Sequence, residues 1–134
     1  MKTQVIAEGP FAAIIPDGIR VGDVIYLSGA VSVDSDGAPA HEGDFLAQNR
    51  QAYANIAGTL ARFGADMTNV VKETVFVTDM AGPVGSPDAP FEVYAAMRNE
   101  IYHGRGAEVA QSLVQVAGLV MPGLLVEIEV VAHL

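Results

Sequence analysis

Two kinds of hydrophobic periodicity alternate along this chain, and their order limits the fold to helices packed on a sheet. Apolar residues recur at three- and four-residue steps over residues 45–63 and 91–101, which is typical of amphipathic helices. Alternating or β-branched runs predict strands at residues 24–29, 70–78, 109–117 and 124–131, with residues 30–33 as a continuation of the first. Two helices of this length cover one face of a sheet, so we expect an α+β architecture with an open face.

The last two predicted strands carry polar residues that need water or a partner. Strand alternation places Gln111 and Gln115 on one face of their strand, and Glu127 and Glu129 on one face of the next. We expect all four side chains to lie on the open face of the sheet. A face that mixes leucine with glutamine and glutamate is either washed by solvent or packed against another subunit, and we favour its use in oligomerisation.

Length and composition indicate one globular domain over residues 1–134. Hydrophobic residues make up 51% of the chain and charged residues 17%, which excludes a disordered polar protein. The absence of cysteine excludes a disulfide scaffold, a thiol nucleophile and a zinc site with cysteine ligands. His41, His103 and His133 lack the spacing of metal ligands, so no metal is expected.

The charge balance and the N-terminus bear on partners and location. The chain has 7 lysines and arginines against 16 aspartates and glutamates, a net charge of −9, which opposes binding to nucleic acid. It begins without the apolar core of a signal peptide and has no apolar run long enough to span a membrane. We therefore expect a cytoplasmic protein without a membrane partner.

Four segments, in order and in spacing, resemble the Rid family of reactive-intermediate deaminases, the YjgF-like proteins. They are IYLSG at residues 25–29, QNRQAYANI at 48–56, VVKETVFVTDM at 70–80 and LVEIEVVA at 125–132. The resemblance implies a chorismate-mutase-like sandwich, a mixed β-sheet with two helices on one face. It also implies a homotrimer with ligand pockets between its subunits.

The resemblance further implies a chemistry and the residues that carry it. Active members hydrolyse enamines and imines to a 2-keto acid and ammonia without metal or organic cofactor. A glutamate near the last strand positions the attacking water, and the matching residue here is Glu127. The segment of residues 25–29 adds Ser28 and Gly29 to the substrate-binding positions.

Three pocket positions depart from the family pattern. The family's arginine, which holds the substrate carboxylate, falls at Gln111, its early tyrosine falls near Ile15, and an asparagine falls near Phe91. An amide has no charge with which to clamp a carboxylate. We therefore expect small 2-imino acids to be poor substrates, and a neutral, larger or more apolar imine or carbonyl compound to fit better. Arg105, in a glycine-flanked loop, is either a replacement cation in the pocket or a surface charge.

Two functions from different classes follow. The first is a deaminase-like hydrolase in which Glu127 acts as general base through water and Gln111 orients the substrate. The alternative is a non-catalytic, metabolite-binding or regulatory trimer of the same fold, which the loss of the arginine favours. Ribonuclease activity, proposed for some relatives, is opposed by the net charge of −9. Ser28 has no histidine–acid pair nearby in the sequence, so a nucleophilic triad is not expected.

Overall fold

A seven-stranded mixed sheet forms the centre of the molecule. The computed structural model describes residues 2–81 and 91–134, and the loop predicted at residues 82–90 lies outside them. The strands are β1 (Thr3–Ile6), β2 (Gly18–Val21), β3 (Val24–Leu27), β4 (Ala30–Val31), β5 (Val70–Val77), β6 (Ala110–Gln115) and β7 (Val126–His133). The helices are α1 (Phe45–Arg62) and α2 (Phe91–Ile101), and short 3-10 turns occupy Met67–Asn69 and Gly106–Glu108.

The strand order is β1-β2-β3-β7-β5-β6, and β4 pairs with β7 beyond the end of β3. Strands β5 and β6 are parallel and are connected through α2, whereas the other pairs are antiparallel. Both helices contribute to the hydrophobic core against the sheet. The expected α+β architecture, a mixed sheet with two helices packed on it, is confirmed. No helix in the described part of the chain is long and apolar enough to cross a membrane.

The helical periodicities identify the core correctly, with one exception. The buried stripe of α1 and the residue after it is the predicted one: Phe45, Asn49, Ala52, Tyr53, Ile56, Leu60 and Phe63. On α2, Tyr94 and Met97 are buried, but Phe91 is 51% exposed, and its ring lies tilted against Tyr94 with the centroids 5.9 Å apart. Phe91 is therefore apolar surface at the start of the helix and not part of the core.

Local signals fix the ends of the central elements. Asp44 caps α1 by accepting a hydrogen bond from the Ala47 N–H, and Gly64 follows the helix with a φ of +77°. Gly22 and its neighbour form the two-residue turn between β2 and β3, and a φ of +60° explains the glycine there. Strands β1 and β2 were not predicted; β1 is four residues long and exposed at three of them.

The expected position of two glutamines is wrong. Gln111 pairs with the buried Glu73 on β5, and Gln115 pairs with the buried Val77, so both glutamines lie on the helix-covered side of the sheet. Glu127 pairs with Phe76, on the opposite side from Glu73. Alternation separates the two faces of each strand but does not say which face of β6 aligns with which face of β7.

Two polar residues of α1 connect the helix to neighbouring loops. Gln48 is fully buried; its amide donates to the carbonyl of Gly123 at 2.8 Å, and its oxygen accepts the N–H of Leu125 at 2.8 Å. Asn55 donates to the carbonyl of Val31 at 3.1 Å. These bonds satisfy backbone groups that the sheet leaves unpaired, which gives this polar helix segment a structural role.

We expect Gln48→Leu to lower the free energy of unfolding by about 2 kcal/mol or more, because it leaves the partly buried Gly123 carbonyl and Leu125 N–H without this partner. Urea denaturation at fixed protein concentration measures the change. Gln51→Leu is the matched control: Gln51 bonds only to Asn55 on its own helix, and its loss is expected to cost less than about 1 kcal/mol. Equal losses in the two variants would contradict a structural role for Gln48.

Candidate functional site

A buried carboxylate organises the side of the sheet on which Gln111 lies. Glu73 on β5 is fully buried, and four side chains donate hydrogen bonds to it. The hydroxyls of Tyr53 and Tyr102 reach Oε1 at 2.7 and 2.6 Å, and Arg98 Nε and Gln111 Nε2 reach Oε2 at 2.6 and 2.8 Å. We call these five residues the Glu73 cluster. Every lone-pair direction of the carboxylate has a donor, which is the condition for burying a charge.

Burial and the Glu73 charge shift the neighbouring titrations. Burial first, and the Glu73 carboxylate second, raise the pKa of Tyr94 to about 12 and raise the pKa of Tyr53 and Tyr102 well above their ordinary value. Burial alone would lower the pKa of Arg98, but its hydrogen bond to Glu73 and the Glu73 charge outweigh burial and raise it. The tyrosines therefore stay neutral donors, and Arg98 stays a cation, throughout the physiological pH range.

Gln111 is held by this cluster. Its Nε2 also donates to the Tyr94 hydroxyl at 3.0 Å, and the Tyr94 ring lies against Phe91. Two of the sequence-predicted substrate-binding residues, Gln111 and Phe91, are thus connected through Tyr94. Both are partly exposed, so this end of the cluster reaches the surface.

The predicted base, Glu127, lies on the other side of the sheet, against Gly29. A Cβ at Gly29 would stand 2.8 Å from Glu127 Oε2, so a side chain there would displace the carboxylate from this position. Glu127 is half-buried; burial first, and the nearby Glu129 second, raise the pKa of its carboxyl. A raised carboxyl pKa suits a group that accepts a proton from water.

A groove of about 540 Å³ lies along α1, and Gly29 is one of its lining residues. It runs between α1, the loop at residues 8–17 and the segment 28–35 that contains β4, and Ile15 and Ser28 also line it. Ile15 is 45% exposed. The Ser28 hydroxyl donates to the Pro16 carbonyl at 2.7 Å, which commits its proton to the backbone. The groove thus brings three sequence-predicted residues together, and Gly29 joins them to Glu127.

Charge in the groove is acidic on balance. Asp17 accepts hydrogen bonds from the N–H groups of Glu8 and Gly9 and from Arg62 Nη1, the last at 3.0 Å. The Glu8 carboxylate shares the same guanidinium, at 3.4 Å. Asp34 also lines the groove, so three carboxylates and one arginine are among its lining residues. An anionic ligand would meet repulsion here.

Arg105 is placed away from Gln111. It donates to Glu108 at 3.1 Å and to the Thr68 carbonyl at 3.0 Å. All five arginines of the chain have a carboxylate within 3.9 Å: the pairs are Arg20–Asp23, Arg50–Glu100, Arg62–Asp17, Arg98–Glu73 and Arg105–Glu108. The chain therefore offers no arginine without a carboxylate partner to an acidic ligand.

The sequence-predicted residues fall into two groups on opposite sides of the sheet. Gln111 and Phe91 belong to the Glu73 cluster and its surroundings, and Glu127 lies on the open side against Gly29. One chain does not bring Gln111 and Glu127 together. In the described ranges, 2–81 and 91–134, no group of three or more histidines and carboxylates is arranged to hold a metal ion.

Glu73 and Arg98 were missed by sequence reasoning. One signal was available: Glu73 shares a strand face with Val75 and Val77, and a carboxylate in an apolar row needs a buried cation. Arg98 is that cation, 25 residues away in sequence, and it also donates to the carbonyls of Gly106 and Val109. Spacing along the chain does not reveal such a pair.

The sequence model of the family described as Endoribonuclease L-PSP matches residues 3–134. Solved structures agree. Rv2704 from Mycobacterium tuberculosis, described as a member of the highly conserved YjgF/YER057c/UK114 family, is 27% identical over 99% of this chain and 100% of its own, with a TM-score of 0.74. YyfA from Yersinia pestis, described as a Rid family protein of unknown function, is 28% identical over 99% of this chain and 100% of its own, with a TM-score of 0.81.

Yeast Mmf1 adds a more distant likeness. It is 24% identical over 98% of each chain, with a TM-score of 0.81, and at that identity the likeness shows the fold alone. Together these structures confirm the chorismate-mutase-like sandwich that the sequence led us to expect.

We expect Arg98→Met to destabilise the protein by about 3–5 kcal/mol, because it leaves the buried Glu73 without its cation. Arg50→Met removes a comparable arginine–glutamate pair whose side chains are 49% and 68% exposed, and we expect a loss below about 1 kcal/mol. Urea denaturation of both variants at equal protein concentration gives the comparison. A small loss for Arg98→Met would show that the Glu73 cluster does not depend on the ion pair.

Proposed function

The chain belongs to the YjgF/Rid family, and on that basis we propose that it is a deaminase-type hydrolase of an imine, an enamine or a related reactive carbonyl metabolite. The reaction takes place in a pocket shared between subunits of a homotrimer and uses no metal or organic cofactor. The observation that carries the proposal is the half-buried Glu127 carboxylate, which lies against Gly29, a residue that also lines an open groove.

A shared pocket is supported by the separation of the two groups of site residues. Gln111 and Glu127 lie on opposite sides of one sheet, so a single ligand meets both only if they come from different subunits. The open side of the sheet carries exposed apolar area that suits such packing, including Tyr26 at 50% and Val114 at 40% exposure. In the proposed trimer, one subunit supplies Glu127 and the groove, and its neighbour supplies Gln111 and Phe91.

The proposed chemistry requires Glu127 in its charged form. Glu127 takes a proton from a water molecule as the water oxygen bonds to the imine carbon. Glu127 passes this proton to the substrate nitrogen as the carbon–nitrogen double bond becomes a single bond, which gives a carbinolamine. The hydroxyl proton of the carbinolamine then moves to the nitrogen, the remaining carbon–nitrogen bond breaks, and ammonia leaves as the carbonyl forms. The groove beside Gly29 receives the part of the substrate that does not react.

The substrate that we propose is not a small 2-imino acid. Gln111 stands where the family has an arginine, every arginine of the chain has a carboxylate partner, and the groove is acidic on balance. Losing a paired cation costs an anionic ligand about 2–5 kcal/mol of binding. An uncharged or apolar imine or carbonyl compound avoids that loss and fits against Ile15 and Phe91. The same charges and the net −9 disfavour RNA as a substrate.

We expect Glu127→Gln to reduce imine hydrolysis by at least about a hundredfold, because the amide cannot accept the proton from water. Glu129→Gln is the matched control, because Glu129 lies two residues away on the same side of β7 and is more exposed. We expect this variant to retain turnover at pH 8. Ammonia release from imines generated in situ by an amino-acid oxidase, and by an amine oxidase for uncharged imines, measures both variants.

Two results would count against catalysis by Glu127. Equal turnover in Glu127→Gln and the unmodified protein would remove it from the mechanism. A compound that raises the Tm but is never consumed, with no imine hydrolysed, would favour the non-catalytic metabolite-binding trimer instead.

The acidic limb of the pH profile provides a further prediction. Burial and Glu129 raise the pKa of Glu127, so turnover is expected to fall as the pH drops through that raised pKa and protonates the base. Glu129→Gln removes the neighbouring negative charge, which lowers the pKa of Glu127 and moves the limb to lower pH. The profile of kcat/KM against pH for both proteins tests this. A limb that stays in place, or moves to higher pH, would show that Glu127 does not set it.

A further inference from the structure

The orientation of the Gln111 amide is determined by what it faces. Three donors other than Gln111 converge on Glu73, the hydroxyls of Tyr53 and Tyr102 and the Arg98 guanidinium, so the Glu73 carboxylate accepts hydrogen bonds and donates none. Gln111 must therefore turn its nitrogen toward Glu73, at 2.8 Å. The flipped amide would bring its oxygen against a buried negative charge, which is strongly unfavourable.

This contact uses one of the two amide hydrogens, and Tyr94 uses the other. Gln111 Nε2 donates to Glu73 Oε2 at 2.8 Å and to the Tyr94 hydroxyl at 3.0 Å. Gln111 Oε1 receives no hydrogen bond from any residue between 2 and 81 or between 91 and 134, and the Gln111 side chain is only partly buried. The group that Gln111 presents outward is thus an acceptor, the opposite polarity to the arginine of the family pattern.

We propose that Glu73 is a positioning residue that fixes Gln111 with its oxygen toward the ligand, and that the ligand therefore carries a neutral hydrogen-bond donor, a carboxamide N–H, where other family members bind a carboxylate. The inference rests on the proposed function, because it takes the shared pocket as the place that Gln111 faces. A carboxylate at that position would meet the Gln111 oxygen, with the Glu73 charge behind it.

The rest of the cluster keeps this arrangement rigid. Arg98 holds Glu73 at 2.6 Å and is itself fixed by the carbonyls of Gly106 and Val109, at 2.8 and 3.0 Å. Its guanidinium also lies 5.2 Å from the centre of the Tyr102 ring. Arg98 is thus committed to Glu73 and to backbone carbonyls, and Glu73 has no other hydrogen-bond direction to offer. The preference for a neutral donor at Gln111 is thus set by the Glu73 cluster, whose five residues belong to one subunit.

Pyruvamide and pyruvate test the inference, because they differ only in a carboxamide against a carboxylate. Isothermal titration of the assembled protein with each ketone gives the ratio of the two affinities. We expect pyruvamide to bind at least about tenfold more tightly than pyruvate, because the amide N–H bonds to Gln111 Oε1 and the carboxylate is repelled.

Two variants assign the preference to the proposed residues. Gln111→Met removes the acceptor and keeps the length of the side chain, and we expect the preference to fall below about threefold. Glu73→Gln lets the Gln111 amide turn, and the preference is expected to fall similarly; a merely structural role of Glu73 would weaken both ketones equally and leave the ratio unchanged. Gln115→Met is the control, since Gln115 is on the same strand and its oxygen already accepts the Met80 N–H at 2.9 Å.

The outcomes separate this inference from the proposed function. Equal binding of the two ketones, tighter binding of pyruvate, or no saturable binding of either would overturn the inference. So would an unchanged ratio in Gln111→Met, which stands as the test if Glu73→Gln does not fold. Hydrolysis of imines that depends on Glu127, with no discrimination between the ketones, would leave the proposed function in place and reject the role of Gln111 and Glu73.

Discussion

The buried carboxylate of Glu73 is the interaction on which the arrangement of this protein depends. A charge without water is tolerated only when donors surround it, and here the donors come from α1, from α2 and the turn after it, and from β6. Hydrophobic burial brings the helices to the sheet without fixing their positions closely. The Glu73 cluster supplies that precision, since a helix displaced along the sheet would leave the charge unsatisfied. The same hydrogen bonds to Glu73 therefore stabilise the core and fix the position of Gln111.

The same cluster sets the polarity that we propose for the binding surface. The chain has an arginine close to Gln111, but Arg98 points inward to Glu73 and is 12% exposed. Gln111 donates its amide hydrogens to Glu73 and Tyr94, which leaves its oxygen as the acceptor. In the proposed pocket, an amide acceptor then stands where the family has a guanidinium donor. The change from arginine to glutamine would thus alter the sign of the interaction as well as its strength.

The sequence predicts the long helix and the central strands well, because each has a strong periodicity and a clear end, such as Gly64 after α1. It does not predict the inward direction of Glu73. Strict alternation from the buried Val70 would place Lys72 inside, but a β-bulge there shifts the register and turns Glu73 inward instead. The error on Gln111 has a related cause, since the covered face of a strand is set by its neighbours. Strand β1 was missed because a short exposed edge has little pattern.

Because Gln111 and Glu127 lie apart in one chain, neither residue by itself indicates a functional site. Glu127 by itself is a carboxylate on a strand close to a second one, Glu129, and Gln111 by itself is a hydrogen-bond donor to a buried acid. A structural role would explain each residue without any ligand. Their joint function in the proposed trimer comes from what lies next to them: the groove at Gly29 on one side and the exposed Phe91 on the other. A pocket formed by two subunits can change its substrate specificity through residues near Gln111, while the proposed base, Glu127, keeps its position against Gly29. In this chain two of the three departures from the family pattern, Gln111 and Phe91, fall on the first side. The third, Ile15, lines the groove on the second side, where the retained Glu127 lies against Gly29.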